Sequence, residues 1–221
     1  MRSVAYQMYR TIEHFFPDLF TWMRKIEDCR SKSEYELAEI ITACLSMFLF
    51  KAGSRNEQNN LQNDPKFRKN YKKLFKLDLP HPDTVSNVMK VLGESHLEKL
   101  KRRMIQALLH QKALHKYRFQ GKWFLVAVDA TGVVSFKHQH CEQCQHRTSW
   151  KGKGKTTWFH TVLEAKLVTA NGFALSLGTE WIENPVGEYD KQDCERKAFV
   201  RLAARLKKGM CSPSVVIPST R

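Results

Sequence analysis

The apolar residues of this chain change their spacing once, near residue 120, and no other feature limits its fold as much. Before that point they recur at helical intervals; after it they alternate. In the first part, Leu37, Ile40, Ile41, Cys44, Leu45, Phe48 and Leu49 share one stripe, Ser33 and Glu36 have the spacing of a capping box, and Gly53 stops the run. Further helices are expected at 65–76, at 83–92 after the breaker LPHPD, and at 94–116, where Leu97, Leu100, Met104, Leu108 and Leu109 share a face. In the second part, Trp123–Val128 reads as a buried strand, Val133–His138 as a second and Trp158–Val168 as a third. TANGF reads as a hairpin turn feeding Phe173–Trp181. A helix is expected over 190–208, with Asp190 as N-cap, Phe199, Leu202, Ala203 and Leu206 on its apolar stripe and Gly209 at its end, and SVVI can begin another strand. The pattern predicts a basic helical domain over 1–119 and an α/β domain over 120–221, several strands followed by one helix.

Charge narrows the partner. Lys and Arg number 37 against 22 Asp and Glu, a formal net charge of +15, which favours a polyanion through phosphate neutralisation and counterion release. Arg68, Lys69, Lys72 and Lys73 crowd one helix with Phe67, Tyr71 and Phe75 interleaved, and Lys99, Lys101, Arg102 and Arg103 crowd another. Such runs serve equally as solvated helix faces and as DNA or RNA contacts. Lys151 and Lys153, among glycines in RTSWKGKGKTTW, suit a phosphate-contacting arm or a hairpin tip. A membrane partner is disfavoured, because the longest apolar stretch, IITACLSMFLF, is too short to span a bilayer. The first residues lack the apolar run and cleavage site of a signal peptide, and six scattered cysteines suit reduced thiols, so a cytoplasmic location is expected.

Two constellations carry chemistry. In WFLVAVDATGVVSF, an apolar run delivers Asp129 and then turns through Ala130-Thr131-Gly132 into a second run. A carboxylate at a strand end can hold a divalent metal of the kind that activates and stabilises the oxygens of phosphoryl transfer; Asp followed by Thr and Gly is also ordinary turn chemistry. In HQHCEQCQH, Cys141 and Cys144 have the spacing of a zinc half-site that His138, His140 or His146 can complete, or they are free thiols in an exposed loop. His160 reads as a partly buried strand residue. Glu195, four residues before Phe199, is a candidate auxiliary metal ligand; together with Asp190 and Asp193 it is equally an acidic group at a helix start.

VAVDATGVVSFKHQHCEQC, FHTVLEAKLV and YDKQDCERKAFVRLAARL, with the earlier segment from MFLFKAGSRNEQNN to TVSNVMKVL, resemble bacterial insertion-sequence transposases that carry a DDE triad on a ribonuclease H-like core. The resemblance spans roughly residues 35–208. It implies a partial ribonuclease H-like mixed β-sheet with one helix, a DNA-binding or dimerisation role for the helical domain over 1–119, magnesium or manganese at the active site, and DNA partners: the element ends and the target. It further implies a homo-oligomer at full length, a nucleoid-associated location, and DNA transposition by metal-dependent cleavage and strand transfer. Asp129 matches the first triad residue. The second Asp and the Glu have no matching position, so the resemblance is to a C-terminally truncated member that is inactive by itself. The alternative is a non-catalytic nucleic-acid-binding protein built on a degenerate transposase. A backward frame slip near Lys207-Lys208 would let the codons of VVIPSTR read Gly-Asp-Ser-Leu-Tyr-Ala, similar to the segment around the second Asp; a natural short C-terminus is the other reading.

Overall fold

A computed structural model describes residues 4–150, 154–209 and 215–216. The chain forms two units, Met1–Gln111 and Lys112–Arg221. Seven helices make up the described part of the first: α1 (Val4–Phe15), α2 (Leu19–Arg24), α3 (Leu37–Leu49), α4 (Arg55–Asn63), α5 (Pro65–Phe75), α6 (Pro82–Val91) and α7 (Glu94–His110). Leu37, Ala38, Ile40, Ile41 and Ala43 of α3 are buried with Met23 of α2, Tyr71 and Phe75 of α5, Val85 and Val88 of α6 and Leu100 of α7.

The apolar stripe of α3 does not stay inside for its whole length. Leu45, Phe48 and Leu49 are 45%, 76% and 38% exposed. The side buried in those turns carries Thr42 and Ser46, with Ser46 Oγ donating to the Ala43 carbonyl (2.7 Å) and accepting from Gln58 Nε2 (3.3 Å). A polar contact with α4 therefore replaces apolar packing there. The helix also starts later than the Ser33–Glu36 spacing suggests. Arg30 donates to Asp28 (2.9 Å) and to the Tyr35 carbonyl (2.8 Å), holding the preceding segment outside the helix. The cap moves to Glu36, whose N–H donates to Glu39 Oε2 at 3.0 Å. On α5, Asp64 caps the first turn by accepting from Lys66 N–H (2.8 Å), and Lys76, at φ 59°, ends it in the left-handed region. Helix α7 stops at His110, short of residue 116; Lys112 takes φ 56° and a 3₁₀ turn follows at His115–Tyr117.

The second unit holds β1 (Phe124–Phe136), β2 (Gln145–Thr148), β3 (Thr156–Val168), β4 (Ala174–Ile182), α8 (Glu195–Gly209) and β5 (Val215–Val216). Strand β3 is central. One edge pairs antiparallel with β1 from Leu125↔Val168 to Phe136↔Trp158, and the other takes β4 and then β2 end to end. The short β5 lies parallel to β1 on its far side, so the sheet is mixed. Residues 123–128 and 133–138, expected as two strands, are one strand and its continuation, with no turn at Ala130-Thr131-Gly132. A partner of equal length outweighs the local turn preference, and a bulge between Gly132 and Val134 absorbs the irregularity. The turn after β3 forms as its sequence suggests: Gly172 takes φ 80°, the Thr169 N–H donates to the Phe173 carbonyl (3.0 Å), and the Phe173 N–H donates to Thr169 Oγ1 (3.0 Å).

Helix α8 begins at Glu195, not Asp190. Asp193, only 8% exposed, accepts from Arg201 (2.7 Å) and gives its N–H to Asn184 Oδ1 (3.1 Å), which commits the preceding segment to the sheet edge. Ala198, Leu202 and Leu206 then form its buried stripe, at the period of the helix. Gly178 of β4 permits the approach: a Cβ there would stand 3.2 Å from Leu202 Cδ1 and from Leu206 Cδ2.

Candidate metal centre and carboxylate pair

Strand alternation decides where Asp129 goes. Phe124 and Val126 are buried, while Leu125, Ala127 and Asp129 are exposed on the opposite face. Asp129 therefore sits within β1 rather than at its end, and its cross-strand partner is Glu164 of β3. Directly opposed side chains stand about 4.5–5.5 Å apart at Cβ, where like charges repel. Lys166 Nζ, 3.8 Å from Glu164 Oε2, offsets part of that repulsion. Asp129 Oδ1 accepts the Ala130 N–H at 2.9 Å. Two carboxylates on one exposed face are donors of the kind a hard divalent cation takes. Glu164 was not singled out from the sequence, because its partnership with Asp129 exists only in the β1–β3 register. Glu195 opens α8 with its side chain exposed and joins no group of three or more metal-holding residues among those described.

The second site is tighter. Cys141, Cys144 and His160 converge: the sulfurs are 3.6 Å apart, and His160 Nε2 lies 3.4 Å from Cys141 Sγ and 3.3 Å from Cys144 Sγ. These three groups can together hold a metal ion. Cys144 is buried, and its carbonyl accepts from Asn184 Nδ2 at 2.8 Å, while the Asn184 N–H donates to the Gln143 carbonyl at 3.1 Å. The turn carrying the cysteines is thus tied to the segment after β4. Burial, together with the hydrogen bond to Cys144, raises the Cys141 thiol pKa above its ordinary value. On its other side, His160 Nδ1 faces Glu183 Oε1 at 3.8 Å.

Sequence spacing pointed to His140 and His146 as the completing ligands; in the structure both rings are engaged elsewhere. His140 is exposed and stacks on Phe136 at 4.6 Å, and His146 lies against Trp158 at 4.9 Å. His160 takes the place beside the sulfurs. The pairing Gln145↔Phe159 carries Cys144, just before β2, level with His160 of β3, although His160 lies sixteen positions later in the chain. Reading the stretch between residues 145 and 159 as one hairpin would have found it.

The basic residues of the first unit divide by face. Arg68, Lys69, Lys72 and Lys73 are exposed on α5, whereas Tyr71 and Phe75 are buried and pack against each other at 4.9 Å. The interleaved aromatics serve the core and leave an outer face rich in cations, with Lys72 paired to Asp78 at 2.7 Å. Arg103 is exposed and lines a cleft with Lys25, His96 and Lys99; Arg102 is half-buried. Lys151 and Lys153 lie outside the described residues. No helix among the described residues is long and apolar enough to cross a membrane. No protein-family model, curated protein or solved structure matches this chain.

Proposed function

We propose that the chain is part of a DDE-type transposase of a bacterial insertion sequence: a basic helical domain that binds DNA, followed by the first strands of a ribonuclease H-like catalytic core. One observation carries the reading. The second unit runs through three long antiparallel strands, a helix, and then a strand parallel to and beside the first, and that first strand exposes the carboxylate of Asp129. This order and direction fit the opening of a ribonuclease H-like sheet.

Asp129 would hold magnesium or manganese, with Glu164 opposite as a second oxygen donor; carboxylate oxygens fit such cations in kind. The bound cation would supply the Lewis acidity that phosphoryl transfer needs. The chain's own contribution is to fix those carboxylates on a paired strand and to attract the DNA backbone with the net charge of +15, concentrated in part on α5. The second Asp and the Glu of a triad have no matching position in the sequence, so complete strand transfer would need carboxylates beyond Asp129 and Glu164, and metal-dependent nicking is the step these two could support.

The test pairs a binding assay with a nicking assay. Duplex DNA should bind with strong salt dependence, and replacing Lys69, Lys72 and Lys73 together with Glu should weaken binding and flatten the salt slope. Nicking of supercoiled DNA that needs magnesium or manganese and disappears in Asp129→Asn supports the enzyme. Metal-independent, salt-sensitive binding without nicking supports the second reading, a non-catalytic DNA-binding protein, which the unmatched triad positions favour. Absence of DNA binding would overturn both.

A further inference from the structure

We infer that Cys141, Cys144 and His160 form a zinc site that clips the Cys141–Cys144 turn to β3, with Glu183 orienting the histidine. The inference rests on this site's geometry and is independent of any action on DNA. Zinc with Zn–S near 2.3 Å and Zn–N near 2.0–2.1 Å, at tetrahedral angles, places two sulfurs about 3.8 Å apart and sulfur and nitrogen about 3.6 Å apart. The observed triangle of 3.6, 3.4 and 3.3 Å lies within a few tenths of an ångström of those edges. The two sulfurs are not joined as a disulfide, which needs them about 2.0 Å apart, and both cysteines are free thiols.

The ligand types narrow the choice of metal. Two thiolates and an imidazole are the soft and borderline donors zinc prefers, and they suit magnesium and calcium poorly. The surroundings carry the marks of a built site. Metal-binding histidines commonly direct their second ring nitrogen at a carboxylate, which fixes the tautomer and raises ligand basicity. Here His160 Nδ1 is buried without a hydrogen bond and faces Glu183 Oε1 at 3.8 Å, a small closing movement from contact. Phe136 and Trp181 meet the same ring edge to face, each with centroids 6.3 and 6.4 Å away respectively, so its position is held from several sides. The three protein ligands are what the site commits; the fourth corner lies with solvent or with a side chain that moves on binding.

The experiment uses the full chain, purified reduced and without chelators. Elemental analysis should find about one zinc per chain. Cobalt substituted for zinc should give the thiolate-to-metal charge-transfer band and the intense visible bands of tetrahedral coordination. Cys144→Ser and His160→Gln should abolish stoichiometric binding, whereas His140→Gln and His146→Gln should keep it. Glu183→Gln should keep the metal with affinity lowered about 10–100-fold. If the ligand variants fail to fold, the cobalt spectrum of the unsubstituted chain still decides, because a chain that binds cobalt without thiolate bands, or does not bind it, overturns the site. Zinc retained in His160→Gln and lost in His140→Gln or His146→Gln would overturn the ligand set.

Discussion

The two units place their charged and reactive groups in opposite ways. In the helical unit, position along one helix settles the matter: α5 turns Tyr71 and Phe75 inward and Lys69, Lys72 and Lys73 outward, with Lys72 in an exposed pair with Asp78. In the sheet unit, chemistry arises where distant segments meet. Asp129 faces Glu164 through strand register, Cys144 reaches His160 across a hairpin, and Asp193 meets Arg201 where a loop joins a helix. Substitutions should therefore act gradually and additively on the first unit's outer face, and cooperatively in the second.

The largest effects test whether each unit keeps its own core. Leu202→Ala, beneath the sheet, should cost about 3 kcal/mol and weaken cobalt binding at the Cys141 site, as read by thermal unfolding and metal titration. Ile40→Ala, in the centre of α3, should cost a similar amount and leave metal binding unchanged; loss of metal there would erase the contrast. Next is Asp193→Asn, expected to cost about 2 kcal/mol at neutral pH, because it weakens charge-assisted bonds from Arg201 to a buried carboxylate. Burial acts to raise the Asp193 pKa, but hydrogen bonds from Arg201 and from backbone N–H groups outweigh it and hold the pKa below its ordinary value of 3.8. A depressed carboxylate stabilises the fold above its unfolded-state pKa and loses that contribution as the pH falls through the folded value. Urea unfolding of parent and variant should therefore differ most above about pH 3.8, draw together as the pH falls below it, and converge only beneath the lower folded-state value.

Gly178→Ala should cost about 1 kcal/mol, since Leu202 and Leu206 must yield to the added methyl group. The smallest effect is on the helical unit. Lys72→Ala breaks an exposed pair with Asp78 and should change stability by no more than about 0.5 kcal/mol. If α5 contacts phosphate, the same substitution should reduce the salt slope of DNA binding by about 0.9. A stability loss comparable to that of Asp193→Asn would mean that the cationic face is structural.

The same contrast explains what could be read from the sequence. Helices α5 and α6 were legible because period, proline and cap residues lie within a few positions of one another, as with Asp64 and Pro65. The outward turn of Leu45, Phe48 and Leu49 was not, because Ser46 and its partner Gln58 sit on different helices. The β3–β4 hairpin was legible from Asn171-Gly172. The unbroken β1 was not, because the residues that keep it extended through Gly132 belong to β3. Both cysteines of the candidate metal centre were visible as a short motif, while its histidine required knowledge of which strands pair.

Strand β1 has a further consequence for timing. Its thirteen residues extend about 43 Å, but only the first part is backed by buried side chains, and Thr131–Ser135 are exposed on both faces. Amide protons along one strand should consequently exchange with solvent on two clocks. Those near Val126 are released when the whole unit unfolds, and those near Val134 when the outer ribbon opens locally. His160, opposite Val134, belongs to the proposed zinc clip, so loading the metal should slow the second clock and leave the first unchanged.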